Sequence, residues 1–366
     1  MWQRKPERTA TGSMKRDDKM MKKAFIFGLI SACLMFTACG FSKSHENIDL
    51  AVTAVLNGEY ENAMDFLEKA GEKGENKEDL HRVRGIALME LARYDEATEE
   101  FLESLSYNKG YVKAQDKDTS YYLAVAQYRN GCFSDAKDTY SAIIGLYPEE
   151  SDAFLQRGKT ELRLNETDNA IADFNRAVRI DKDDPDLYIE IYECLNSAGM
   201  KDEGNKYLKD AMEISTKLTS LQKGKLYYCQ GEYEQAKNAL ESARNEGAKG
   251  GVTLYLGRTY EALGDTNYAA SLYRTYLEEN PTDIEICNQL GLCCLEMGDY
   301  EGALSSFEQG LSVPDNEYEQ TLKYNRIVAY EYLANFEQAK VLMKEYLKEY
   351  PADEAAIREN GFLNTR

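Results

Sequence analysis

A short phrase recurs along the chain and constrains its fold more than any other feature. Each copy has a glycine or a substitute, an aromatic residue two positions later in most copies, then an alanine, and an apolar residue four positions after the alanine. The nine copies begin at Gly58, Ala92, Gly131, Asn165, Gly199, Gly231, Gly264, Gly298 and Ala334, with successive starts 32 to 39 residues apart. A repeat of this length predicts small structural units that stack on their neighbours along the chain.

The residue types within each copy predict a helical hairpin. The glycine suits the left-handed residue that ends a first helix, and the alanine lets a second helix approach closely. Pro148, Pro281 and Pro351 follow the second helices of their copies, where proline stops a helix. A small residue also stands at a fixed offset before the phrase, where it admits a neighbouring helix. These small residues are Gly85, Ala124, Gly158, Gly224, Gly257 and Gly291.

The stretch VTLYLGRTYEALGD around Gly257 resembles the tetratricopeptide repeat most fully, with Leu256, Tyr260, Gly264 and Pro281 in family positions. Residues 44–353 as a whole resemble an array of such repeats. The resemblance implies an all-α fold, an α-solenoid of about nine helix–turn–helix repeats in a right-handed superhelix. It also implies that the first helices line an inner face that binds proteins or peptides. We assign the array to residues 46–353.

Three departures from the regular pattern carry expectations of their own. The step of 39 residues between the second and third copies places about five additional residues within 105–119, where we expect one loop. Gly204 replaces the alanine of the fifth copy, which predicts a local bend or looser packing there. Residues 354–366 are predicted to form a capping helix and tail, with Asp353 at the N-cap and Gly361 past the end of the helix.

The N-terminal segment has the order of a secretory signal. From Met21 the chain reads MKKAFIFGLISACLMFTACG, with two lysines, an apolar run and small residues before Cys39. The apolar run is too short to cross a bilayer. The segment resembles a bacterial lipoprotein signal, and this resemblance implies that Cys39 is lipidated.

From that resemblance we predict a signal peptide at 1–38 and a lipidated tether at 39–45. The natural start is expected at Met20 or Met21, because the preceding stretch is unusually polar for a signal. Two other interpretations remain open, an ordinary secretory peptide and an uncleaved anchor.

The sequence offers little on which to build catalysis. The repeats leave no room for a second domain, and the only histidines are His45 and His81. Acidic residues number 64 against 44 basic ones, so most carboxylates are expected on solvated helix surfaces. We predict no enzymatic activity, no cofactor and no metal, and disfavour a sugar hydrolase that uses groove carboxylates. The formal net charge of −20 argues against nucleic-acid binding.

Six cysteines follow the leader and Cys39, and none of them forms a CxxC pair. We interpret them as small buried residues in the helix stack. They are Cys132, Cys194, Cys229, Cys287, Cys293 and Cys294.

If the first helices line the inner face, several aromatic and cationic residues fall there. The predicted partner-binding residues are Tyr121, Tyr128, Arg129, Lys159, Arg163, Lys225, Tyr228 and Arg258, with Tyr324 and Tyr332 as further aromatics. A cationic stripe with aromatic neighbours predicts a groove for an extended peptide or protein tail that carries acidic groups. The alternative is that these cations pair with Glu193, Glu261 and neighbouring carboxylates and only solubilise the groove.

Together these features predict a non-catalytic, membrane-anchored scaffold for protein–protein interaction. We expect it at the extracytoplasmic face of the cell membrane in a bacterial envelope, held there by its lipid anchor. The alternative is a regulatory repeat protein on the cytoplasmic side, whose apolar N-terminal run is not cleaved.

Overall fold

Helices make up the part of the chain that the computed structural model describes, which is residues 45–107, 113–214, 218–248, 251–313 and 318–365. Within these ranges there are nineteen α-helices and no strand. The first ten are α1 Glu46–Leu56, α2 Tyr60–Glu72, α3 Lys77–Glu90, α4 Tyr94–Ser106, α5 Ala114–Arg129, α6 Phe133–Leu146, α7 Ser151–Arg163, α8 Thr167–Ile180, α9 Pro185–Ser197 and α10 Lys201–Ile214. The others are α11 Ser220–Gln230, α12 Tyr233–Asn245, α13 Val252–Ala262, α14 Thr266–Glu279, α15 Ile284–Met297, α16 Tyr300–Leu311, α17 Glu319–Tyr332, α18 Phe336–Glu349 and α19 Glu354–Leu363.

The predicted leader and anchor lie outside the described residues. This holds for 1–38, for Cys39 and for the tether up to residue 44. None of the described helices combines the length and the apolar character that crossing a membrane requires.

Every copy of the repeated phrase lies at the turn between the two helices of a hairpin. The first residue of the phrase has a left-handed backbone in all nine copies, with φ between 77° and 85° at the six glycines. The substitutes adopt the same conformation, with φ of 57° at Ala92, 60° at Asn165 and 55° at Ala334. Nine hairpins result, from α1–α2 to α17–α18, as the repeat predicts.

The apolar residue at the ninth position after the start of each phrase forms the core of its hairpin. Its side chain is at most 1% exposed in all nine copies. These residues are Leu67, Phe101, Tyr140, Phe174, Leu208, Leu240, Tyr273, Phe307 and Met343. Because each of these side chains is large and excluded from water, its burial stabilises the packing of the two helices of the hairpin.

The small residues of the first helices make room for these core side chains. A Cβ at Gly85 would lie 2.6 Å from the Phe101 ring, and one at Gly158 would lie 2.7 Å from the Phe174 ring. Carbon atoms do not approach so closely, so any larger residue would push the second helix away. The predicted role of these positions is confirmed.

Of the two expectations about irregular repeats, that of looser packing at Gly204 is wrong. Helix α4 ends at Ser106 and α5 begins at Ala114, so the additional residues of the 39-residue step lie between these two helices, within 105–119 as predicted. At Gly204, packing is tight rather than loose, since a Cβ there would lie 3.0 Å from the Tyr192 ring.

The C-terminal helix begins where predicted and ends later. The Asp353 side chain accepts the backbone N–H groups of Ala355 and Ala356, both at 3.0 Å, and so caps α19. Gly361, expected beyond the helix, lies within it.

The chain divides into two compact units, and the division falls after Leu187 in α9. We call the described residues up to Leu187 the N-terminal unit and those from Tyr188 the C-terminal unit. Five of the predicted partner-binding residues lie in the N-terminal unit and three lie in the C-terminal unit.

Candidate partner-binding surfaces

In the N-terminal unit, Arg163 ends α7 beside two aromatic rings. Its guanidinium carbon lies 4.4 Å from the centre of the Phe133 ring and 5.7 Å from that of Tyr128. The two rings meet edge to face, with centres 5.2 Å apart. We call Tyr128, Phe133 and Arg163 the Arg163 cluster. Tyr128 and Arg163 are predicted partner-binding residues, whereas Phe133, the aromatic residue of the third repeated phrase, was not predicted.

The Arg163 side chain is exposed and forms no ion pair among the described residues. A guanidinium that makes cation–π contacts still carries N–H groups that can donate to a carboxylate in bidentate fashion. This arrangement can therefore bind an anionic group.

Two predicted residues of the same unit are buried instead. Tyr121 is 4% exposed and packs edge to face against Tyr140, with ring centres 6.2 Å apart. Lys159 is 6% exposed. Arg129, at the end of α5, is half-buried. In this structure Tyr121 and Lys159 present almost no surface to a partner, and a role for them in binding stays a prediction.

A buried carboxylate near these residues escaped the sequence analysis. Glu161 is 5% exposed, and its Oε2 atom has no hydrogen-bond partner. Burial and the nearby charge of Asp173 raise the pKa of Glu161 to about 7. Burial disfavours an ionised carboxylate, and Asp173 disfavours a second negative charge beside it. Asp173 itself is held by Arg157, with Nε–Oδ2 and Nη2–Oδ1 distances of 2.6 and 2.8 Å.

In the C-terminal unit, the three predicted residues surround a tyrosine that the sequence analysis did not select. The Tyr228 and Tyr255 rings meet edge to face at 5.5 Å. The Lys225 Nζ lies 5.9 Å from the centre of the Tyr255 ring, and the Arg258 guanidinium carbon lies 6.0 Å from it. We call these four residues the Tyr255 cluster.

Arg258 is committed to a partner within the chain. Its guanidinium donates to the Glu285 carboxylate, and its side chain is only 5% exposed. Burial acts to lower the pKa of Arg258, but the charge of Glu285 outweighs it and raises the pKa, so Arg258 stays charged. The alternative raised from the sequence therefore describes Arg258, although the partner is Glu285 rather than Glu193 or Glu261.

Glu193 instead accepts the hydroxyl of Tyr255, which is itself buried. A further contact joins α15 and α17, where the Asn325 Nδ2 donates to the Asn288 Oδ1 at 2.9 Å. Tyr332 is 42% exposed and stacks on Tyr300, with ring centres 5.0 Å apart. First helices of this unit are thus linked by polar side chains along one surface.

The cysteines follow the predicted pattern with one exception. All six are free thiols; Cys194, Cys287, Cys293 and Cys294 are buried, and Cys229 is half-buried. Cys132 is exposed, because it stands in the turn before α6. Within the described ranges, no group of three His, Cys, Asp or Glu side chains is placed to hold a metal ion.

Comparison with known proteins identifies the repeats. Family models of the tetratricopeptide repeat match residues 121–185, 221–284 and 284–316. A curated relative, BBSome complex member bbs-4 of Caenorhabditis elegans, is 27% identical over 183 residues, which is 47% of this chain and 40% of that relative's length.

Solved structures to which the chain is similar include a tetratricopeptide repeat protein from Parabacteroides merdae, at 13% identity and a TM-score of 0.48 over 69% of this chain and 98% of that one. The human IFIT1 dimer with PPP-AAAA is similar at 17% identity and a TM-score of 0.46, over 89% of this chain and 87% of that one. The chain thus carries tetratricopeptide repeats in the matched ranges, and its described residues form an all-α array of helical hairpins.

Proposed function

We propose that this chain is a non-catalytic scaffold that binds a protein or peptide through its tetratricopeptide repeats and is held at a membrane by a lipid on Cys39. The observation that carries the proposal is the set of tetratricopeptide repeats matched at 121–185, 221–284 and 284–316. Stacked repeats of this kind create extended surfaces suited to binding other proteins. The relative named as a member of a complex is in keeping with this role.

The Arg163 cluster supports a partner with acidic groups. Its guanidinium is exposed, rests on two rings and has no carboxylate partner among the described residues. Elsewhere the chain is strongly acidic, with a formal net charge of −20. An acidic segment would therefore bind at this local cation and be repelled by most other surfaces.

The sequence supports the lipid anchor. Lysines, an apolar run and small residues precede Cys39 in the order of a lipoprotein signal. Acyl chains contribute about 0.8 kcal/mol per buried methylene, so two or three of them anchor a protein stably. This would place the repeats at the extracytoplasmic face of the membrane.

Metabolic labelling with a fatty acid in a bacterial host tests the anchor. We expect label in the wild-type chain and in Cys132→Ser, which removes an exposed cysteine of the repeats, and none in Cys39→Ser. Label that persists in Cys39→Ser would contradict the assignment. A membrane-bound chain that carries no label would instead support the uncleaved regulatory protein.

A further inference from the structure

A cavity of about 470 Å³ opens between α17, α18 and α19 in the C-terminal unit. Tyr324, Tyr346 and Tyr350 line it. The centres of the Tyr324 and Tyr346 rings are 5.9 Å apart, and those of Tyr346 and Tyr350 are 4.8 Å apart. Three rings so close together form an aromatic wall, and aromatic faces attract cations.

A charged carboxylate stands in the same cavity. Asp353 accepts the hydroxyl of Tyr346 at 2.6 Å on Oδ2, while its Oδ1 accepts the backbone N–H groups that begin α19. Burial acts to raise the pKa of Asp353, but these hydrogen bonds outweigh it and lower the pKa. The side chain therefore stays ionised at neutral pH.

One N–H group of each of the two amide side chains of the cavity is engaged by the protein. The Gln320 Nε2 donates to the Asp353 Oδ2 at 3.5 Å, and the Asn325 Nδ2 donates to the Asn288 Oδ1 at 2.9 Å. The carbonyl oxygen of each amide can accept a hydrogen bond from a ligand. Together with the Asp353 carboxylate, these amides give the cavity oxygen atoms that can accept hydrogen bonds.

No lysine or arginine is among the residues that line the cavity. Lys323 lies nearby, with its Nζ 6.0 Å from the centre of the Tyr350 ring, but Glu319 and Glu349 hold it at 2.7 and 2.5 Å. Burial, followed by the charges of Glu359, Glu331 and Asp353, raises the pKa of Tyr324 to about 12, while the charge of Arg358 acts to lower it. The carboxylates near Tyr324 thus outnumber the arginine.

We propose that this cavity receives an arginine side chain from a basic segment of a partner protein. A guanidinium is planar, so it stacks on tyrosine rings, and its five N–H groups donate without needing a donor in return. The occupant thus matches the aromatic wall, the charge of Asp353 and the acceptor oxygens of the cavity. The inference rests on the proposed function only in taking the occupant to be a protein, and it uses none of the residues of the Arg163 or Tyr255 clusters.

The test is a binding titration of the full chain by saturation-transfer NMR. The probe is a blocked glycine-rich peptide with one arginine, and the comparison peptide carries citrulline, which has nearly the same shape without the charge. We expect the arginine peptide to bind about tenfold more tightly, because the citrulline peptide loses both the cation–π attraction and the attraction to Asp353. Equal binding of the two peptides, or no saturable binding of the arginine peptide, would overturn the proposal.

A variant that fills the cavity with its own cation locates the site. Thr321→Arg places a guanidinium at the lining, and we expect it to weaken binding of the arginine peptide about tenfold or more. The matched control is Thr275→Arg, an exposed position of α14 that adds the same charge, and it should leave binding unchanged. An equal loss in both variants would show that only overall charge matters and would overturn the proposal.

A second variant keeps the proposal testable if Thr321→Arg does not fold. Asn325→Asp adds a carboxylate to the cavity, and we expect it to tighten binding of the arginine peptide by about threefold to tenfold while leaving the citrulline peptide unaffected. Weaker or unchanged binding of the arginine peptide would contradict the proposed occupant. Failure of this series leaves the anchor and the Arg163 cluster untouched, since labelling at Cys39 and partner capture measure those separately.

Discussion

The Arg163 cluster of the N-terminal unit and the Tyr255 cluster of the C-terminal unit use arginine on aromatic rings in opposite ways. Arg163 stands five positions after its first-helix glycine and is exposed, whereas Arg258 stands one position after its glycine and is 5% exposed. Lys159, also one position after its glycine, is equally buried. Lys225 also stands one position after its glycine but is only half-buried, so burial rather than position in the helix separates the exposed Arg163 from the buried Arg258 and Lys159.

The largest expected effect lies at the buried arginine. Arg258→Met removes the partner of Glu285 and leaves a carboxylate in a buried site, so we expect the free energy of unfolding to fall by about 3 to 5 kcal/mol. Urea denaturation followed by circular dichroism measures this. The double variant Arg258→Met with Glu285→Gln should recover much of the loss, because no buried charge remains unpaired. A loss below about 1 kcal/mol in the single variant would remove the contrast between the clusters.

An intermediate, pH-dependent effect is expected at Glu161. Its pKa is raised from 4.5 to about 7 in the folded chain, so folding is favoured while it is protonated, and this stabilisation is lost as the pH rises from about 4.5 towards 7. Glu161→Gln should therefore leave stability nearly unchanged at pH 4 and raise it by roughly 2 kcal/mol at pH 8. Urea denaturation at the two pH values gives the difference.

The control for this variant is Glu99→Gln on the exposed face of α4, which we expect to behave alike at both pH values. If Glu161→Gln changes the free energy of unfolding by the same amount at pH 4 and pH 8, the pKa of the Glu161 carboxylate is not raised in the folded chain.

The smallest effect on stability is expected at the exposed arginine. Arg163→Ala removes only cation–π contacts at the surface, so the free energy of unfolding should fall by about 0.5 to 1 kcal/mol. The same denaturation assay compares it with Arg258→Met. A loss as large as that of Arg258→Met would show that Arg163 is structural and would erase the distinction.

The fold could be predicted further from the sequence than the site. The nine copies of the repeated phrase, from Gly58 onwards, predicted the positions of all nine turns. They could do so because a left-handed backbone and a close contact between helices depend on local residue types. Cation exposure depends on contacts between repeats, so the sequence did not show which of the predicted cations pair within the chain, and the burial of Tyr121 was missed. Phe133 could have been selected from the sequence, because it is the aromatic residue of the third repeated phrase and closely follows the turn after Tyr128. The cavity at Asp353 forms only where three helices pack together, so the pattern of a single repeat does not predict it.

The central claim is that the repeats bind a partner through exposed residues of the Arg163 cluster. Crosslinking and capture from the native membrane, with wild type, Arg163→Glu and Arg179→Glu compared side by side, tests it most directly. Arg179 is exposed on α8, so both variants change the charge equally. The account predicts that the protein captured by wild type is retained with Arg179→Glu and lost with Arg163→Glu while helical circular dichroism is unchanged. Equal capture by the two variants would contradict it.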